Sequence, residues 1–397
     1  MTPDTAFDLV RARAETPGCK NVLHFNNAGA SLMPACVLEA VKGYLDLEAA
    51  VGGHAAHARE EDKVERVYAA AALLLNADAN EIAVVENATR AWDMAFYALA
   101  RTFKPGDRIL TGEMEFGSNY LAFLHMAKNA GVTVEAVRGD HTGAISIEAL
   151  EDSLDERVRL IAVTHVPSTG GLVNPAAAIG RVARSNGIPY LLDACQSVGQ
   201  MPVDVEEIGC DFLSATSRKF LRGPRGMGFL YVRADWIEKM DPPFIDQHAA
   251  AWTAVDTFEV RADARRFESF ETSFAGKAGF GVAIDYALDW GLENIQHRIR
   301  GLAAKLRDGL GDIPGVRVHD QGIEQCGIVT FTKDGVASDF IKGVLARRDI
   351  NVSVSPVEYA RLDMERRALP PMVRASLHYY NDEEEIQRFL DAVGDIS

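Results

Sequence analysis

The chain has 397 residues, 48% of them hydrophobic, with a formal net charge of −16 and a pI near 5.1. An acidic surface argues against nucleic acid and anionic membrane as partners, and no run approaches the ~20 apolar residues needed to span a bilayer. The length suits one large domain with a smaller one attached, because single cores stop growing near ~250–300 residues.

The N-terminal stretch MTPDTAFDLVRARAE carries acidic residues and no apolar core of signal-peptide length. The five cysteines, Cys19, Cys36, Cys195, Cys210 and Cys326, are odd in number, scattered and without a CxxC pair. That pattern fits a reduced, cytoplasmic protein without structural disulfides or zinc. Residues 1–20 read as a short amphipathic helix and a Pro-Gly break, followed by LHFNNAGASLMP from Leu23 to Pro34. A helix pattern over 35–50 stops at Gly52-Gly53. His54 and His57 beyond it have no metal-ligand spacing and either line a mouth or sit in a solvated loop.

Residues 81–103 read as strand, turn and helix, with Asn87-Ala88-Thr89-Arg90 at the turn. A helix N-terminus there offers unpaired N–H groups and a positive dipole end to a phosphate, and Asn87 or Thr89 can also cap it. The strand DRILTG leads to Glu113-Met114-Glu115-Phe116-Gly117-Ser118-Asn119. VTVEAV is a strand, 146–154 a short helix, LIAVTHV a strand ending near Ser168-Thr169, and 175–186 a helix. Alternating strands and helices imply a largely parallel sheet covered on both faces.

The central stretch follows. An apolar strand over 188–192 delivers Asp193, with Gln196 three residues on; a strand over 211–215 leads into Thr216-Ser217-Arg218-Lys219. The turn 222–226 and a strand over 227–232 close it. In open α/β sheets ligands sit beyond the carboxyl ends of strands. A lysine and an aspartate at two such ends suit pyridoxal 5'-phosphate: the lysine holds it as a Schiff base and the carboxylate keeps its ring nitrogen protonated.

After Val232 the pattern loosens, and a long helix begins within RRFESFETSFAGKAGFGVAIDYALDW. The G-x-x-G-x-G there follows no strand and is not a dinucleotide site. From about Asn294 the chain reads as a smaller α+β domain. Arg374, on a strand amid apolar neighbours, needs a carboxylate partner, which is either a ligand or a structural ion pair.

The pieces LLDACQSVG, RKFLRGPRGMGFLYV and VRASLHYYNDEEEI together resemble the class V aminotransferase family of fold-type I pyridoxal-phosphate enzymes, in its isopenicillin-N-epimerase-like and selenocysteine lyase/cysteine desulfurase-like branch. The resemblance covers nearly the whole chain. It implies a large α/β domain over 21–290 with a mostly parallel, seven-stranded sheet, and a small α+β domain from 1–20 with 291–397. It implies a homodimer acting on an amino acid through a Cα carbanion, by transamination, epimerisation or β-elimination. Cysteine desulfurase or selenocysteine lyase is the alternative, and a non-catalytic regulator is disfavoured by the lack of a basic DNA-binding appendage. Lys219 and Asp193 are the implied catalytic pair. Ala88, Thr89, Thr216 and Arg218 are assigned to the phosphate, Gln196 to the phenolic oxygen, and Phe116 to ring stacking or core packing. Ser168 stands where relatives carry asparagine, and Thr272 or Ser273 where they reach the neighbouring subunit's phosphate. Asn27, Ala28 and Arg374 are assigned to the substrate, Arg374 to its α-carboxylate. The interval between the small-domain strands and Arg374 contains no cysteine, and Phe116 replaces a histidine. Both departures argue against the desulfurase route, which needs a mobile thiolate. Cys326 is expected to pack as a small hydrophobe.

Overall fold

The computed structural model describes residues 7–396. Seven short, apolar segments pair into one sheet: β1 (Ile82–Val85), β2 (Arg108–Gly112), β3 (Thr133–Val137), β4 (Val158–Thr164), β5 (Tyr190–Asp193), β6 (Phe212–Thr216) and β7 (Gly228–Val232). Their spatial order is β1-β7-β6-β5-β4-β2-β3. Only β7 runs against its neighbours. The inner strands β5, β6 and β7 are buried on both faces, which is why they read as continuous apolar runs rather than alternating ones. One core layer, around Ile161, Leu192, Leu213 and Phe280, fills one face, and a second, around Phe96, Phe123, Leu191 and Phe212, fills the other.

The parallel arrangement places the carboxyl ends of β1, β2, β4, β5 and β6 along one edge. Thr164 pairs with Asp193, and Asp193 with Ser214, so the chain leaves the sheet there at three adjacent points. The expected α/β architecture with a seven-stranded, mostly parallel sheet is present.

A second, antiparallel sheet is built from β8 (Val316–Val318), β9 (Ile328–Lys333), β10 (Ser353–Ser355) and β11 (Met372–Ser376), in the order β8-β9-β11-β10. Helices Leu292–Gly311 and Glu383–Gly394 contribute Leu306, Leu310 and Phe389 to its core. The N-terminal strand Leu23–His24 pairs in parallel with Ile350–Asn351, and Asn26 bridges to Ser376. Leu23 and Phe25 belong to this smaller core.

Two regions differ from the sequence reading. Gly52-Gly53 does not end helical structure: Gly52, at φ +85°, turns the chain between helices Ala35–Val51 and Gly53–Leu75. The irregular stretch after Val232 contains a hairpin, Ala250–Ala254 with Thr257–Val260, whose Trp252, Val255 and Phe258 are exposed. The long helix starts only at Phe274, where the Ser273 hydroxyl accepts the Gly276 N–H at 3.0 Å.

Candidate active site

Seven of the residues singled out in the sequence line one hollow at the carboxyl edge of the large sheet. They are Ala88, Thr89, Phe116, Ser168, Asp193, Gln196 and Lys219. Asn119, Thr164, Val166 and Cys195 complete its wall. A larger hollow beside Trp290 and Arg298 lies elsewhere, and its cations are already paired, since Arg298 and Lys305 both bridge to Glu383.

Lys219 lies in the loop that leaves β6, and its Nζ donates to Cys195 Sγ at 3.2 Å. The loop behind it is anchored by Arg222, a left-handed residue at φ 60° whose N–H donates to Lys219 O. The fully buried Arg222 guanidinium donates to Leu32 O and to the hydroxyls of Thr16 and Tyr379. The lysine is therefore presented from a rigid base. Cys195 was not singled out as a site residue in the sequence. Burial pushes its thiol up, partly offset by the Lys219 charge.

Asp193 ends β5 with both oxygens engaged. Oδ1 accepts the Cys195 N–H at 2.9 Å and Oδ2 accepts Asn119 Nδ2 at 2.9 Å. Gln196 Nε2 donates to Ala28 O at 3.2 Å, while its Oε1 is buried without a partner.

The opposite wall is the start of helix Ala88–Ala100. Asn87 Oδ1 caps it by accepting the Arg90 N–H at 2.9 Å, and the earlier residues Ala88 and Thr89 stand on the pocket wall. This close approach depends on Gly228, where a Cβ would meet Ala215 O at 2.7 Å and Ala88 N at 2.9 Å. The half-buried Phe116 ring lines the hollow, 6.1 Å from the Tyr359 ring.

The remaining candidates surround the hollow without lining it. Asn27 is fully buried, its Nδ2 donating to Ser376 O at 2.8 Å and its Oδ1 accepting the Tyr380 hydroxyl. Ala28 N–H donates to Ser376 Oγ. Arg374, on the same face of β11 as Ser376, donates from Nη1 to Ser168 O at 2.9 Å, and its Nε is buried without a partner. Burial lowers its pKa to about 10. Arg218 donates to Gly29 O, and burial lowers it as well. Among the described residues neither arginine has a carboxylate partner. Thr216 Oγ1 donates to Met227 O at 3.3 Å. Thr272 is half-buried just before the helix cap. His57 stacks on Phe274 at 4.3 Å rather than facing the hollow. Cys326 is fully buried, with burial pushing its thiol up to about 11.

These groups suit pyridoxal phosphate. Gln196 Oε1 and Ser168 Oγ are buried polar atoms lacking partners at the pocket wall, a helix N-terminus faces the hollow, and an amine and a carboxylate converge on it. Such unmet polar groups are costly unless a ligand satisfies them. Among the described residues no cluster of His, Cys, Asp and Glu is arranged to hold a metal ion.

A family model described as aminotransferase class-V matches residues 23–389. A probable cysteine desulfurase of Pyrococcus abyssi is 29% identical over 97% of this chain and 96% of its own length. One from Synechocystis sp. is 32% identical over 94% of this chain and 90% of its own. Among solved structures, the apo cysteine desulfurase of Thermococcus onnurineus superposes with a TM-score of 0.91 at 27% identity, covering 97% of both chains. The cystine C–S lyase C-DES, in complex with its reaction product cysteine persulfide, superposes with a TM-score of 0.86 at 25% identity, covering 96% of this chain and 99% of that one.

Proposed function

Because the chain belongs to the aminotransferase class-V family, and is thereby a pyridoxal-phosphate enzyme of fold-type I, we propose that it removes the Cα proton of an amino acid and eliminates a sulfur substituent from Cβ, without forming a persulfide on the protein. The observation that carries this reading is the convergence of Lys219 and Asp193 on one hollow that no small-domain cysteine overhangs.

When bound, the cofactor supplies an electron sink for the pair left by the broken Cα–H bond. Lys219 carries the cofactor and, once freed, takes the proton from Cα as general base. Asp193 holds the proton on the ring nitrogen, and Gln196 donates to the phenolic oxygen. The N–H groups of Ala88 and Thr89, with Thr89, Thr216 and Arg218, bind the phosphate. Phe116 packs on the ring and, having no titratable group, moves no proton. Arg374 pairs with the substrate α-carboxylate beside Ser168, while Asn27 and Ala28 shape the wall on the substrate side.

The desulfurase reading is supported by the names of the relatives. It requires a thiolate that can reach the substrate sulfur. Segment 356–371, between the small-domain strands and Arg374, has none, and Cys326 is fully buried. One observation favours that reading: Cys195 stands in the hollow itself, beside Lys219.

We further propose a cytoplasmic homodimer. Among the described residues no helix is long and apolar enough to cross a membrane. Phe244, Trp252, Val255, Phe258 and Phe270, in the stretch of chain that leads to Thr272, are exposed; a second copy would cover them and bring Thr272 or Ser273 to the neighbouring site. Residues 21–290 are proposed as the cofactor-binding unit and 1–20 with 291–397 as the small unit, with the Leu23–His24 strand tying them together.

Incubation of the reconstituted enzyme with cystine and cysteine tests the reading. Pyruvate with free sulfide or cysteine persulfide is expected. Alanine accompanied by a protein-bound persulfide would overturn it in favour of desulfuration.

A further inference from the structure

At the wall of the hollow two buried carboxylates share one amide. Asn119 Nδ2 donates to Glu115 Oε1 at 2.8 Å and to Asp193 Oδ2 at 2.9 Å. Its two N–H donors are thereby both spent on carboxylates.

Glu115 itself is tied into two strand ends and the start of a helix. Its Oε1 also accepts the Phe116 N–H at 3.0 Å and the Thr164 hydroxyl at 2.5 Å. Its Oε2 accepts the Thr164 N–H at 3.0 Å and the Thr111 hydroxyl at 2.9 Å. Each oxygen therefore faces a main-chain N–H that cannot rotate away. A glutamine would set an NH2 against one of them, so only an acceptor on both sides fits. Burial pushes the Glu115 carboxyl up, the Thr164 hydroxyl opposes that, and the charge of Asp193 adds to it.

The other titratable groups facing the pair are few. Tyr190, on the same strand as Asp193, has a buried hydroxyl without a partner. Cys195 and Lys219 lie on the hollow side. No arginine or lysine forms an ion pair with Glu115 or Asp193 among the described residues. A second negative charge behind Asp193 has a definite effect: like charges favour keeping a proton nearby.

Resting on the reading that Asp193 partners the ring nitrogen, we propose that Asn119 and Glu115 are positioning residues for that contact. Asn119 fixes Asp193 Oδ2 and thus the plane of the carboxylate. The Glu115 charge keeps the proton between Asp193 and the ring nitrogen bound to higher pH. Glu115 also sets the start of helix Gly117–Ala130 through the Phe116 N–H, so one side chain fixes both the ring's stacking partner and its proton partner.

The test uses holoenzyme reconstituted with pyridoxal phosphate carrying 15N at the ring nitrogen, whose chemical shift reports protonation directly. In Asn119→Ala and Glu115→Gln the deprotonation midpoint is expected to move down by about one pH unit, a roughly tenfold weaker hold on the proton. Cofactor should also dissociate faster on dialysis. Thr111→Val removes a donor to Glu115 without touching Asp193 and should lower the melting temperature with the midpoint unmoved. Should Glu115→Gln not fold, Asn119→Ala decides. An Asn119→Ala enzyme that melts lower but keeps the wild-type midpoint and cofactor retention would reduce the network to a fold staple and overturn the proposal. If Asp193→Asn leaves the nitrogen shift unchanged, the partner assignment itself falls, and that failure is distinguishable from the first.

Discussion

Glu268 and Lys277 form a buried ion pair at 3.1 Å across the base of the loop that carries Thr272 and Ser273. Tyr68 donates to the same carboxylate at 2.9 Å, and the Val84 N–H donates to its other oxygen at 2.7 Å. His248 Nε2 lies 3.2 Å away, in poor line for a hydrogen bond. Burial works to raise the Glu268 carboxyl, but the Lys277 charge and the hydrogen bonds from the Val84 N–H and Lys277 oppose it, and the group is held below its ordinary range. A depressed carboxyl stabilises the fold above its unfolded pKa, and that stabilisation is lost as pH falls through the folded pKa. Lys277→Ala should cost about 3–5 kcal/mol by leaving a buried charge unpaired. Denaturant unfolding near neutral pH checks this. A cost within ~0.5 kcal/mol of zero would mean that Tyr68 and Val84 alone satisfy Glu268.

Lys219→Ala should bind cofactor only reversibly. Borohydride should fix the cofactor on the Lys219 peptide of the wild-type enzyme and on no peptide of the variant. Label on another lysine would remove Lys219 from the chemistry. With Asp193→Asn, cofactor should remain bound while Cα–H exchange of a bound amino acid slows greatly, read by deuterium incorporation.

Arg374→Ala should weaken amino-acid binding by about 2–4 kcal/mol, the size of a lost charge-assisted pair, with cofactor affinity little changed. Its Nε lacks a partner, and among the described residues it forms no ion pair with a carboxylate, so a purely structural ion pair has no candidate there. Normal amino-acid affinity in a variant that unfolds easily would return Arg374 to the fold.

Alkylation followed by peptide mapping after incubation with cysteine should find no persulfide on Cys326, which is fully buried. Cys195→Ala should retain Cα–H exchange, because the base is Lys219. A stable persulfide on Cys195 or Cys326, with activity lost in the matching alanine variant, would restore desulfuration.

The architecture and the centre of the site were legible because strand ends fall out of the lengths of apolar runs. Tyr190–Leu192 and Phe212–Ala215 deliver Asp193 and the Lys219 loop to the same edge whatever the details of packing. Glu115 and Asn119 were not singled out as site residues, because their partners, Thr164 and Asp193, arrive from 49 and 74 residues away. The one local sign was an asparagine in the buried first turn of a helix, four residues after a glutamate. The helix Gly53–Leu75 was obscured by the Gly-Gly pair, which turns the chain rather than ending the helical region. The phosphate assignment of Arg218 came from its place before the lysine, whereas its guanidinium rests on Gly29 O.

The path of residues 23–32 has a practical consequence. Leu23–His24 pairs with Ile350–Asn351, Asn26 and Ala28 attach to Ser376, Ala28 O receives Gln196, and Ser31 N–H donates to Arg218 O. Leu32 O then receives the Arg222 guanidinium that braces the lysine loop. An expression variant beginning at Met33 would keep every strand of the large sheet, together with Lys219 and Asp193. It would nonetheless lose the backing of Gln196 at Ala28 O and the brace behind its lysine. Shortening the amino terminus to improve crystals would thus remove working parts, and affinity tags are better placed after the final helix.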